Sequence, residues 1–337
     1  MNRRTGAIVL GVVVLVGAFL VGLLVGPIHI AAVDGIRWLF SFGDRPPGLS
    51  EQQATILADL RLPRVIVAGL VGAALSASGA AYQAVFRNPL ADPYLLGAAA
   101  GAGLGATIAV AYGPSTAFAF SVPLAAFAGA LVGVGLAYAL GRSGVGGRST
   151  TSLILGGVAV ASFLTAVQTL MQQQRSETLR QVYSWILGRL GTTGWDDVRI
   201  ALPSVAVAVT ILWLVRRLLD VIEVGELEAE SLGLNVGRLR LVVVLAASLA
   251  TAAAVSVAGL IGFVGIIIPH AVRLLAGTSY RQVLPLSVLF GASFLILVDV
   301  VARTAVAPAE IPIGVITAFL GAPFFVFALR RSGGRTT

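Results

Sequence analysis

The sequence predicts an all-α, polytopic membrane protein, and three observations carry that prediction. Of the 337 residues, 57% are hydrophobic and only 11% charged, whereas a soluble domain carries about a quarter charged residues. Apolar runs of the roughly 20 residues a helix needs to cross a hydrocarbon core recur along the whole chain. Many of the 40 glycines fall inside those runs, where small residues let helices approach closely without a hydrophobic drive from lipid.

The residue types that are missing narrow the chemistry. There is no Cys, only His29 and His270, and all 23 basic residues are Arg. The chain therefore has no disulfide, thiolate metal site or cysteine nucleophile. It also lacks the lysine of a P-loop, so if ATP powers it, another chain holds the nucleotide. The net charge of +8 is spread between apolar runs rather than gathered in one basic stripe. That pattern reads as membrane topology, not as a nucleic-acid face.

Ten spans are predicted, at 7–26, 65–86, 93–112, 116–140, 151–173, 198–217, 239–258, 261–276, 283–302 and 312–330. The first follows Met1-Asn2-Arg3-Arg4 in the manner of a signal peptide. Its apolar run is long and no small-x-small site ends it, so it is read as an uncleaved helix. With the N-terminus inside, 14 of the 23 arginines fall on inner segments. Of the other nine, four lie on the single long segment 27–64. The arginine bias thus places both termini in the cytoplasm.

Five segments between or within the spans carry polar chemistry. LRLPR, Leu60 to Arg64, sets two arginines at i and i+3 at the outer end of the second span, as snorkelling anchors or as a docking surface for an acidic partner. In RNPLADPYLLG, Arg87 to Gly97, Pro89 and Pro93 disfavour helix before them, and Asp92 is placed to cap the third span. Irregular backbone at that depth needs protein or a water-filled cavity to satisfy it, so the turn is either a capped connection or part of a pathway. The 218–238 segment is the most polar inner loop. It reads as a short amphipathic helix with Leu227, Leu232 and Leu234 on one side, Glu226, Glu228 and Glu230 towards solvent, and Gly233 ending it. His270, in a short Gly-interrupted span, reads as a structural histidine, because no carboxylate or second His lies near it in sequence. Asp299 and Arg303 stand four apart in the ninth span, a spacing that allows an ion pair and lowers the cost of a buried carboxylate. Arg303 is expected at the level of Arg61 and Arg64, which makes a three-arginine outer patch.

At these residues the chain resembles the FecCD family of permeases, the membrane subunits of ATP-binding-cassette (ABC) importers for iron-siderophores, haem and cobalamin. The resemblance runs from about residue 8 to 331. It rests on LRLPR, RNPLADPYLLG, GFVGIIIPHAVRLL, DVVAR and IPIGVITAFLGAPFF. The family usually has Leu where Ile311 stands. The resemblance implies one permease domain that works as a homodimer, with two ATPase subunits inside and an extracytoplasmic substrate-binding protein outside. It implies that Arg61, Arg64 and Arg303 receive acidic groups of the binding protein. Glu226, Leu227, Glu230, Leu232 and Gly233 would belong to a coupling helix seated in the ATPase. Asn88 and Leu90, with Thr150 and Thr151, would narrow the inner end of a pathway on the dimer axis, lined by the fifth and tenth spans. Neither cofactor nor metal is expected on this chain; ATP and Mg would be used by the partner ATPase.

The residues themselves argue against two other readings. An ion-coupled secondary carrier predicts unpaired carboxylates deep in several spans, and Asp299 is the only acidic residue placed inside one. An intramembrane enzyme needs a nucleophile, base and orienter at a recognisable spacing, which the sequence does not offer.

Overall fold

The computed structural model describes residues 3–41, 46–113, 118–143 and 150–333. Among them the protein is helical throughout, with α1 (Arg3–Leu24), α2 (Ala32–Phe40), α3 (Glu51–Thr55), α4 (Leu62–Val85), α5 (Ala98–Tyr112), α6 (Phe118–Ser143), α7 (Thr150–Gln174) and α8 (Leu179–Ile186). These are followed by α9 (Trp195–Val224), α10 (Glu226–Ser231), α11 (Val236–Ala258), α12 (Val264–Ala276), α13 (Tyr280–Thr304) and α14 (Ile313–Gly333). Seven helical stretches are long and apolar enough to cross a membrane. Three shorter apolar helices, Ala98–Tyr112, Val264–Ala276 and Ile313–Val326, occupy the remaining expected positions.

α4 is the hub. Within its apolar window 83% of the residues are buried, against 22% in α1, so α4 is enclosed by protein while α1 keeps Val9, Leu10, Val13 and Val16 on the outer surface. Small residues make this enclosure possible. A Cβ on Gly72 would run into the Gly291 backbone of α13, and one on Gly79 into the Gly265 backbone of α12. Polar side chains then stitch the close helices together: Ser76 Oγ donates to Ser287 O at 2.7 Å, Ser78 Oγ to Ala247 O at 3.0 Å, and Gln83 Nε2 to Gly265 O at 3.0 Å. Where lipid offers no hydrophobic advantage for contact, such packing and hydrogen bonds supply the association.

Several expected boundaries shift, each for a physical reason. The second span begins at Glu51 rather than 65, because Ser50 and Gln53 form a capping box that starts a helix in the polar stretch. The chain then passes through a π-turn at Ile56–Arg61, where Leu62 N–H reaches back to Leu57 O. This wide turn precedes Pro63, which has no N–H to give and whose ring would crowd the carbonyl four residues back. The third span begins at Ala98, not 93. Asp92 caps nothing there; its carboxylate accepts from Tyr94 N at 2.8 Å in a local turn, and Gly97, at φ +80°, precedes the helix. α2 and α8 were not expected, being too short for a span-length window to detect. Of 218–238, residues up to Val224 extend α9 and residues from Val236 open α11, leaving Glu226–Ser231 as the connecting helix.

The short α12 is preceded by non-helical backbone with Gly259 at φ +71° and Phe263 at φ +69°. Its polar groups are met from two sides. Tyr94 OH accepts from Ile261 N and donates to Ile261 O, both at 3.1 Å, and Arg189 N donates to Ala258 O at 3.0 Å. Irregular chain at this depth persists only with such internal partners.

Candidate functional site

The two ends of the helix bundle carry the polar chemistry, and they are built in opposite ways. One end gathers the α3–α4 entrance, the 175–195 segment and the α13–α14 turn. Trp195 Nε1 donates to Ala58 O there at 3.0 Å, and Arg64 reaches both Asp299 and Glu310.

The structure brings Arg61, Arg64 and Arg303 together as expected but corrects the expected exposed patch: they are 4%, 9% and 3% exposed. Each turns hydrogen-bond donors onto groups of this chain, although Arg303 Nε itself makes no hydrogen bond. Arg61 Nη1 donates to Leu23 O at 3.1 Å and Leu24 O at 2.8 Å, and its Nη2 bonds Ile28 O. Arg303 Nη2 bonds Gly22 O. These carbonyls belong to, or just follow, the last turn of α1, where unsatisfied C=O groups and the negative end of the helix dipole attract cations. Arg64 divides its guanidinium between two carboxylates. Nε donates to Asp299 Oδ1 at 2.9 Å, while Nη1 and Nη2 fork onto Glu310 Oε1 and Oε2 at 2.7 and 2.9 Å. Asp299 also lies 3.6 Å from Arg303 Nε, the pair expected from the i, i+4 spacing. Arg64, 235 residues away in sequence, is its closer partner. The Arg64 fork holds the Glu310 carboxyl below the usual carboxylate range.

Glu310 itself escaped sequence reasoning. It sits in an ordinary-looking APAEIP turn, and nothing local ties it to a residue 246 positions earlier. The available signal was only that a lone carboxylate stands on an outer turn close to an arginine-rich level.

At the opposite end α9 leads through Gly225 into α10. The helix closes in a Schellman arrangement, with Gly233 N bonding Glu230 O at 2.9 Å and Leu234 N bonding Ala229 O at 3.0 Å. Gly233 stands at φ +83°, as the sequence anticipates for this stop. Ala229 is the buried face of the helix. Of the expected apolar side, Leu227 and Leu232 are 80% and 77% exposed and turn to solvent, while Leu234 is half-buried and packs against the core. Glu226 departs from the solvent-facing expectation by pairing with buried Arg240 of α11; Glu230 is exposed. Nearby, Asp220 of α9 caps α13 from outside that helix, accepting from Tyr280 N at 2.5 Å and Ser279 Oγ at 2.9 Å.

The remaining expected positions lie in the 86–97 turn and at the start of α7. Asn88 Oδ1 accepts from Leu90 N at 2.9 Å, and Leu90 is 37% exposed. Thr151 is exposed at the start of α7; the side chain of Thr150 lies outside the described residues. His270 packs edge-on against Phe324 with ring centroids 5.5 Å apart. No group of three or more His, Asp or Glu placed to hold a metal occurs among the described residues.

A bundle of this kind, with an enclosed hub helix, a broken helix satisfied from within and one helix projecting apolar side chains at an end, is that of a multi-pass transport permease. The chain belongs to the FecCD transport family, whose sequence profile matches residues 14–331. It is 43% identical over 84% of its length to the cobalamin import system permease protein BtuC of Halobacterium salinarum, of which 75% is covered. It is 36% identical over 98% of its length to the iron(3+)-hydroxamate import system permease protein FhuB of Bacillus subtilis, of which 85% is covered. Among solved structures, a metal-chelate type ABC transporter in an inward-facing conformation superposes with a TM-score of 0.84 at 28% identity, covering 96% of this chain and 98% of the other.

Proposed function

We propose that the chain is the membrane-spanning subunit of an ATP-driven importer that carries an iron-siderophore complex across the cytoplasmic membrane by alternating access. Two ATPase subunits, using ATP and Mg, bind its inner face, and an extracytoplasmic binding protein delivers cargo to its outer face. The chain itself binds no cofactor. The observation that carries this reading is α10, a capped helix that holds Leu227 and Leu232 out into solvent at one end of the bundle. Two exposed leucines flanked by Glu226 and Glu230 suit an apolar cleft with a basic rim on a soluble subunit. Closure of that subunit shifts α10 and rocks the helices packed behind it; a subunit that biases two states in this way needs no catalytic residue of its own.

Two copies form the transporter in this reading. α7 leaves Leu155, Val158 and Phe163 exposed, and α14 leaves Phe319 76% exposed, which suits a pathway and dimer contact between the fifth and tenth spans. Lipid covers the apolar face of α1. Asn88, Leu90, Thr150 and Thr151 narrow the inner end of the pathway. The arginine bias sets both termini in the cytoplasm. Arg61, Arg64 and Arg303 serve the outer docking surface from beneath, by fixing the ends of α1, α4 and α13 that compose it. The 43% identical relative named for cobalamin import supports a corrinoid as the second reading of the cargo.

The test is to extract the tagged chain in mild detergent, identify what co-purifies, and weigh the complex by light scattering. The expected result is a dimer with a stoichiometric P-loop ATPase. A chain that purifies alone and transports without ATP would overturn the proposal in favour of a secondary carrier.

A further inference from the structure

Beside the buried arginine cluster lies a cavity of about 580 Å³, formed between α8, the 187–192 stretch and the turn before α14. Its polar lining is unbalanced. Arg180 and Arg189 are exposed and reach it, and among the described residues neither guanidinium has a carboxylate in ion-pair range. The one carboxylate on the lining is Glu310, and both of its oxygens are already bound by Arg64 at 2.7 and 2.9 Å. The cavity therefore presents two free positive charges and no free negative one. Tyr183, 55% exposed, adds an aromatic surface on the same helix as Arg180.

A second cavity, of about 680 Å³, continues from the first. The two share Leu187, and the first ends at Ile313 where the second takes up Gly314. The second is apolar, lined by residues such as Phe263, Val315, Ala318 and Phe319. A basic, aromatic vestibule thus opens into an apolar groove along α14. Both volumes fall in the range of sites for small organic ligands. Two guanidinium groups without a counter-charge bond an anion more strongly than the neutral acceptors of an uncharged molecule, and they repel a cation. An anion with an apolar organic shell suits both compartments, and a cleft lined by one sign of charge raises its local concentration by about 10- to 1,000-fold.

Resting on the importer reading above, we propose that this vestibule is a receiving site for a negatively charged metal chelate, with Arg180 and Arg189 as its charge-selecting residues. Catecholate-type ferric chelates, anionic with aromatic arms, have that chemistry in full, and carboxylate-type chelates share its charge; neutral corrinoids and cationic hydroxamate chelates lack the net negative charge.

The experiment measures uptake by cells that express the chain with its own ATPase and binding protein. The probes are ferric citrate and ferric enterobactin (anionic), ferrioxamine B (cationic) and cyanocobalamin (neutral). Wild type is compared with Arg180→Gln/Arg189→Gln and Arg180→Lys/Arg189→Lys, with each variant's membrane level and ATPase co-purification recorded to detect misfolding. The expected result is ATP-dependent uptake of an anionic chelate that falls about ten-fold in the Gln pair at sub-saturating substrate and is restored by the Lys pair. Wild-type uptake should also weaken with added salt, and that dependence should flatten in the Gln pair. Uptake confined to cobalamin or ferrioxamine, or anionic uptake unchanged in a well-folded Gln pair, would overturn the charge proposal while leaving the importer reading intact. ATP-independent uptake, or none of any probe, would sink the importer reading and this proposal with it.

Discussion

The two ends of the molecule treat their charged and apolar residues in reverse. At the arginine end three buried guanidinium groups turn to the last turn of α1 and to Asp299 and Glu310. At the opposite end two leucines of α10 are held out in solvent while a small residue, Ala229, faces the bundle. The difference separates cohesion from recognition. Buried guanidinium groups help bind distant parts of one chain together: Arg61 and Arg303 tie α4 and α13 to the end of α1, and Arg64 ties α4 to α13 and to the α13–α14 turn. Exposed leucines on a short capped helix add little to the fold of this chain, which is why the importer proposal assigns them to a second one.

The sharpest way to break this comparison is to remove the carboxylate at the centre of the arginine cluster. Asp299→Ala leaves Arg64 and Arg303 in the interior without their shared counter-charge, and breaking a buried pair in this way costs about 3–5 kcal/mol. The expected outcome is a large loss of folded, monodisperse protein in detergent, followed by thermal unfolding with size-exclusion detection. Asp299→Asn should fall between the variant and wild type, because the amide keeps hydrogen-bond acceptors for Arg64 but not the charge. Wild-type stability in Asp299→Ala would show that the cluster is a surface network after all.

The α10 end should respond in the opposite sense. Leu227→Ser with Leu232→Ser removes two exposed side chains, so thermal stability should stay within about 0.5 kcal/mol of wild type. Association with the ATPase should weaken by about 1–3 kcal/mol, about five-fold or more in affinity, if the leucines fill its cleft. Co-purification and surface binding to the isolated ATPase measure this directly. Unchanged binding would remove α10 from the interface and with it the contrast between the ends.

How much of this was legible in the sequence follows the same division. The spans were legible because lipid demands long apolar runs, and the stop at Gly233 because a left-handed cap calls for Gly. The Asp299–Arg303 pair was visible because its partners stand one helical turn apart. The Arg64 fork onto Glu310 was not, because it joins residues 246 apart through a tertiary contact with no local signature. Nor could periodicity say which face of a six-residue helix is buried: α10 turns on Ala229, and the larger apolar residues that usually mark a core face point outward. α2 and α8 were missed because their length lies below what a span-sized window resolves. The arginines at LRLPR were placed at the correct level but on the wrong side of the surface, since two cations at i and i+3 look the same whether they snorkel, dock a partner or cap another helix from within.

The mildest test refines the arginine end by separating its deep core from its rim. Glu310 is more open to water than Asp299, and the Arg64 fork holds its carboxyl below the value of about 4.3 usual for a free glutamate. A carboxylate whose folded pKa is depressed contributes stability that is fully present above its unfolded pKa and is lost as pH falls through the folded one. The contribution should therefore hold at neutral pH and fade below about pH 4. Solvent screening on the Glu310 side limits it to about 0.2–1 kcal/mol. Glu310→Gln should lower thermal stability slightly at pH 7 and converge with wild type in acid, giving a flatter pH profile. Parallel profiles would mean that Glu310 merely lies beside Arg64 and that Asp299 alone carries the cluster. The basic vestibule proposed for an anionic chelate would then also need revision, because a Glu310 not held by Arg64 is a free negative charge on its wall.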